Sequence, residues 1–266
     1  MLPVLPVSLT LIIVVTAVSY LRGWLHSSLP AWRAASFFLG LLFIWLAAAS
    51  PIASFDDRML TAHMIQHVLL MTFAPPLIWL SEPVRVLFYH QPLQVVLPGS
   101  RWALTRQLNG ILAQPAFCWL SAAAALVAWH IPALFRLGMH SHAWHLVEQT
   151  SFLATGLLFW WPVVQPWPSV PRWPRWSMLL YLFIATLPCD VLSGLLVFSD
   201  RIAYPMYFSM PQQFGLTVLE DQQCAGALMW TCVTFVFLVA GTILSMQLLA
   251  PSFQANEAVQ REIRTL

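Results

Sequence analysis

The 266-residue chain is 59% hydrophobic, carries only 8% charged residues and has a net charge of +2. A soluble domain holds about a quarter charged residues, so this composition excludes an ordinary soluble protein and points to an integral membrane protein. The basic residues are arginines scattered along the chain, with no basic patch for nucleic acid, and the four cysteines form no CxxC motif of the zinc-ribbon or thioredoxin kind.

About 20 apolar residues cross a bilayer as a helix. Seven stretches qualify in chain order: 5–21, 34–51, 58–80, 115–131, 144–164, 177–198 and 221–249. The first lacks the positive charge that precedes the apolar core of a signal peptide, so it is read as a retained span. The third contains Pro75-Pro76, which predicts a kink or an end to that helix. Between the third and fourth spans the polar stretch 81–114 predicts a short interfacial helix from Trp102 to Leu112. The expected fold is therefore an all-α integral membrane bundle of seven transmembrane helices, covering residues 1–251 and followed by a cytoplasmic tail, 252–266.

The arginines orient this bundle. Arg22, Arg33, Arg85, Arg101, Arg106, Arg172, Arg175, Arg261 and Arg264 fall on one side, against Arg58, Arg136 and Arg201 on the other. Cytoplasmic segments carry the excess of positive charge, which sets the N-terminus outside and the C-terminus in the cytoplasm.

With that orientation the ligand-type side chains collect at one depth. His63 and His67 lie in the outer half of the third span, His130 ends the fourth, and His145 and Glu148 begin the fifth. Glu220, Asp221, Gln222, Gln223 and Cys224 open the seventh, and His140 and His142 sit in the outer loop between the fourth and fifth. Met59, His63, His67 and Met71 recur every four residues and would form one slanted stripe on a helix. Imidazole with thioether suits copper, above all Cu(I). His145 and Glu148, three apart, share a face, and the glutamate would ligate a metal or orient a histidine. For each there is a plainer reading. A single membrane histidine such as His130 commonly bonds a carbonyl, methionine stripes commonly pack, and Asp221 near a helix N-terminus would serve as a cap. The pair His63/His67 resists that reading, because two imidazoles in lipid need partners. Asp190, beside Cys189 inside the sixth span, needs a proton, water or a partner there.

These residues carry a resemblance. The run His63-Met64-Ile65-Gln66-His67, followed by Leu69-Leu70-Met71 and Ala74-Pro75-Pro76, resembles the signature of the polytopic CtaG family of cytochrome c oxidase assembly factors. Trp129-His130-Ile131-Pro132, His145-Leu146-Val147-Glu148, Ser151-Phe152 and Phe159-Trp160-Trp161-Pro162 continue it, as do Leu187-Pro188, Tyr204-Pro205, Asp221-Gln222-Gln223 and Met229-Trp230. The chain departs from the family where Gln149 stands at a position usually held by histidine, and where Cys189-Asp190 follows Leu187-Pro188. The resemblance implies a non-enzymatic role in maturing a haem-copper oxidase in a bacterial inner membrane. Its partners would be oxidase subunits, lipid and periplasmic copper carriers, with copper, as Cu(I), as the ligand. The expected metal residues are His63, His67, His145, Glu148, His130, Met71 and Asp221, placed towards the periplasmic side. The alternatives are a membrane cytochrome binding haem b through histidines of neighbouring helices, and an intramembrane metallohydrolase, for which no HExxH motif is present.

The topology is directly testable. Reporter fusions after residues 90, 170 and 255 should all read cytoplasmic, and a periplasmic reading at 170 would remove the shared side on which the site depends.

Overall fold

The computed structural model describes residues 4–87, 114–166, 173–210 and 214–250. The expected interfacial helix and the C-terminal tail lie outside the described residues. Among those described, the chain is helical and contains no strand. The helices are α1 (Val4–Leu25), α2 (Ala31–Ala48), α3 (Leu60–Val68), α4 (Ala74–Leu80), α5 (Pro83–Leu87) and α6 (Pro115–His130). They continue as α7 (Pro132–His140), α8 (His142–Val164), α9 (Arg175–Phe198) and α10 (Val218–Leu249). Short 3-10 turns at Pro51–Phe55 and Pro205–Ser209 precede α3 and α10.

Five helical runs are long and apolar enough to cross a membrane: Pro6–Leu25, Ala31–Phe55, Leu60–Leu80, Arg175–Phe198 and Val218–Leu249. The pair α6 and α7, bent by 78°, makes a sixth if it counts as one span. The bend follows from sequence: Ile131, forced towards extended geometry by Pro132, ends α6 at ψ 125°. The other expected span corresponds to α8, whose 23 residues reach about 35 Å. Its first half carries His145, Glu148 and Gln149, which lowers its apolar character.

The outward faces of α1, α9 and α10 expose Leu11, Val15, Phe183, Leu195, Phe235 and Leu238, each more than half accessible. A continuous apolar surface of this kind belongs against lipid. Without water to drive helices together, packing relies on close approach and on polar cross-links. Gly156 of α8 supplies one such approach, since a Cβ there would lie 2.7 Å from the Met71 carbonyl oxygen. Tyr20 of α1 stacks on Phe37 of α2 and donates to the Ser81 carbonyl at 2.8 Å.

The third span does not end at its prolines. A π-helical turn, Leu69–Phe73, joins α3 to α4, and the helix runs on to Leu80. Pro75 and Pro76 have no N–H to offer the carbonyls of Met71 and Thr72. Widening the preceding turn accommodates both rings without breaking the helix. The same turn interrupts the four-residue stripe: Met59 sits in extended geometry before α3, and Met71 lies within the π-turn.

The start of α3 is held from another helix. Asp221 of α10 accepts from Leu60 N at 2.7 Å, from Thr61 N at 3.2 Å and from Thr61 Oγ1 at 2.6 Å. The cap of α10 itself is instead the box formed by Thr217 and Glu220. Replacing Asp221 with alanine should therefore cost on the order of 1–3 kcal/mol. Thermal unfolding in detergent should show a lowered midpoint for Asp221→Ala and a smaller loss for Asp221→Asn, which keeps one acceptor.

Candidate metal centre

Three elements bring the site together at one end of the bundle. α3 presents His63 and His67 one turn apart, α8 presents Glu148, and His130 ends α6 beside them. Glu148 and His63 are fully buried, and His67 and His130 are 4% and 6% exposed. One Glu148 oxygen, Oε1, stands 3.4 Å from Nε2 of both His63 and His67. The two Nε2 atoms are 2.6 Å apart, close enough that one must donate a proton to the other.

The surroundings are apolar. Phe135 of α7 meets the His63 ring edge-on at 4.9 Å, and Phe152 of α8 lies 4.2 Å from the His67 ring. Gly138 of α7 closes over the carboxylate: a Cβ there would sit 2.6 Å from Glu148 Oε2. Several polar atoms remain without a hydrogen-bond partner in this dry setting: Nδ1 of His63 and His67, Nε2 of His130, and both oxygens of Glu148. Buried groups left in this state are costly. His130 is fixed by Nδ1, which donates to the Leu126 carbonyl at 2.7 Å and leaves the Nε2 lone pair free. Its ring centre is 6.4 Å from that of His67.

A second set of polar groups lies at the mouth. His145 Nδ1 is 3.2 Å from Asp56 Oδ2, and the ring centres of His145 and His63 are 5.8 Å apart. Gln149 donates to His145 Nε2 and to Gln66 Oε1, each at 3.0 Å, and Gln66 donates to the Ala53 carbonyl. Where the family usually has histidine, glutamine thus braces His145. Tyr207 anchors Asp56 by donating to its carbonyl at 3.0 Å, and Tyr204 does the same for His130. Burial pushes both phenols well above the ordinary tyrosine range, so they remain neutral donors.

Among the described residues two groups place their ligand atoms within 4.8 Å of one another: His63, His67 and Glu148, and Asp56, His63 and His145. Asp56 was absent from the sequence expectation. Its only advance signal was an acid in a short loop immediately before the histidine-bearing helix. Met71 lines an apolar cavity of about 60 Å³ with His67, Cys189 and Met229. Asp221 has both oxygens engaged at the start of α3. His140 and His142 are exposed.

The profile of the cytochrome c oxidase caa3 assembly factor family, Caa3_CtaG, matches residues 14–250. The chain belongs to this family. Among curated proteins it is 24% identical over 231 residues to uncharacterized proteins of Mycobacterium bovis and Mycobacterium tuberculosis, covering 82% of this chain and 35% of theirs. An uncharacterized protein of Mycobacterium leprae is 21% identical over 249 residues, covering 88% of this chain and 37% of that one. The chain thus spans about a third of the length of the curated relatives it matches. No solved structure matches it significantly. The match runs through α3, α6, α8 and α10, the helices that supply the site and its anchor.

The close fit over the carboxylate predicts a specific sensitivity. Gly138→Ala should destabilise the protein by about 1–3 kcal/mol through overpacking. Gly194→Ala and Gly241→Ala, which meet open space, should be neutral or stabilising by helix propensity. Unfolding midpoints of the three variants in one detergent check this, and equal midpoints would contradict the geometry.

Proposed function

We propose that this protein binds copper at His63, His67 and Glu148 and serves the maturation of a haem-copper oxidase in a bacterial inner membrane. The observation that carries the reading is a buried trio whose ligand atoms converge within 4.8 Å, with neither Glu148 oxygen in a hydrogen bond, in a chain of an oxidase assembly family. Membership of such a family points to a non-catalytic role. Imidazole suits copper among several transition ions. The 3.4 Å separations between Glu148 Oε1 and the two imidazoles match the edge of about 3.3–3.4 Å that ligands form at a tetrahedral ion with bonds near 2.0–2.1 Å. The histidine pair must open from 2.6 Å to admit it.

In this reading the two imidazoles bind as neutral ligands through Nε2, and Glu148 supplies the negative charge that a cation requires in a low-dielectric interior. His130, with its free Nε2, is a further donor within reach of a small shift. Met71, one turn beyond His67 and facing the same cavity, is the soft ligand that favours Cu(I). Asp221 acts by fixing α3 and not as a ligand. The seven-span arrangement with an external N-terminus, supported by the arginine asymmetry, puts the trio on the periplasmic side. There the site would exchange copper with periplasmic carriers and oxidase subunits. The haem alternative has less support, since the cavity beside His67 is about 60 Å³, far below the roughly 300–1,000 Å³ of pockets for drug-sized ligands.

His67→Ala should leave the protein abundant and inserted, because alanine is well tolerated in helices. The oxidase should then assemble with haem but with a copper-deficient centre, partly restored by added copper. A variant that is abundant, retains wild-type copper content and supports full oxidase activity under copper limitation would refute the metal role of His67.

A further inference from the structure

We infer that Asp56, His145 and His63 form a second metal site at the mouth, joined to the buried trio through the shared ring of His63. This rests on the copper reading above and extends it from one ion to two.

In this arrangement each nitrogen of His63 takes a separate duty. Its Nε2 faces His67 and Glu148. Its Nδ1 is buried and has no hydrogen-bond partner. Ligand atoms of Asp56, His63 and His145 nevertheless lie within 4.8 Å of one another. The 3.2 Å between His145 Nδ1 and Asp56 Oδ2 is close to the ligand–ligand edge of a tetrahedral ion, about 3.3–3.4 Å. Solvent access is graded along the line: the side chains of His145 and Asp56 are 16% and 12% exposed, and those of His63 and Glu148 are 0%. An ion from the aqueous side meets the outer group first.

The protons balance without redox change. A neutral imidazole carries one proton, so holding an ion at each nitrogen releases that proton to solvent and leaves His63 as a bridging imidazolate. Ligation by His145 Nδ1 moves that ring's proton to Nε2, where a turned Gln149 amide accepts it. Two imidazoles and a carboxylate suit a borderline divalent ion such as Cu(II). The outer site would hold a divalent ion at the mouth, and the shared ring would couple it to an ion in the buried trio with no change of oxidation state.

The test uses the full chain in detergent, equilibrated with Cu(II) and washed through a desalting column. Wild type should retain two ions per protein, with a spin-resonance signal reduced by exchange through the shared ring. Asp56→Asn and His145→Gln should each retain one, with the full signal of an isolated Cu(II). Glu148→Gln should weaken the buried ion instead. Wild type holding a single ion, or Asp56→Asn still holding two, overturns the second site while the copper reading stands. Wild type holding no Cu(II) overturns the second site, and wild type holding no Cu(I) when loaded under ascorbate overturns the copper reading as well. Unfolding midpoints of the metal-free variants, expected to match wild type within a few degrees, separate ligand loss from misfolding.

Discussion

A carboxylate sealed inside a membrane bundle dictates the arrangement around it. Glu148 has no solvent contact and no arginine in salt-bridge range among the described residues, and few groups come within ion-pair distance of it. Those are two imidazoles from one helix, held one turn apart. A carboxylate left with no polar neighbour in such surroundings costs several kcal/mol if ionised. The positions of α3 and α8 are therefore tied to one another by this requirement, and Gly138, Phe135 and Phe152 are the walls that keep water from relaxing it.

Around that centre the bundle is braced by long-range polar contacts. Gln66 and Gln149 link α3 to α8 across the mouth. Tyr204 and Tyr207, from the segment before α10, reach the carbonyls of His130 and Asp56. Gln222 accepts from Ala203 N and donates to the carbonyls of Leu196 and Arg201, fastening the turn after α9. The bonds of Gln149, Tyr204 and Tyr207 join elements far apart in sequence at the same end of the molecule. The opposite half, by contrast, packs through aromatic clusters such as Phe159, Tyr181 and Phe237.

Helical periodicity made part of this legible. His63 and His67 at four residues, and His145 and Glu148 at three, needed only a regular helix to share a face, and His63, His67 and Glu148 indeed meet. Hydropathy marked five of the expected spans, whereas α8, the fifth stretch, is weakened as a hydropathy signal by the very residues that build the site. What required the tertiary fold was not legible. Asp56 lies in a loop, where no periodicity places a side chain. Asp221 was read as an acid for its own helix or the metal, yet its partners are some 160 positions away. Met71 left the histidine stripe because the prolines following it widen the helix, an adjustment that spacing alone does not encode.

The bond between Asp221 and the first turn of α3 has a mechanical side. Both carboxylate oxygens grip the helix that carries the two histidines, and they do so from the first turn of a 32-residue helix. A rigid rod held at one end transmits displacement along its length. Any partner that tilts α10 by gripping its far end, near Leu249, would pull on α3 and change the spacing of the imidazoles without touching them. The clasp thus couples the longest described helix to the one that carries the histidines.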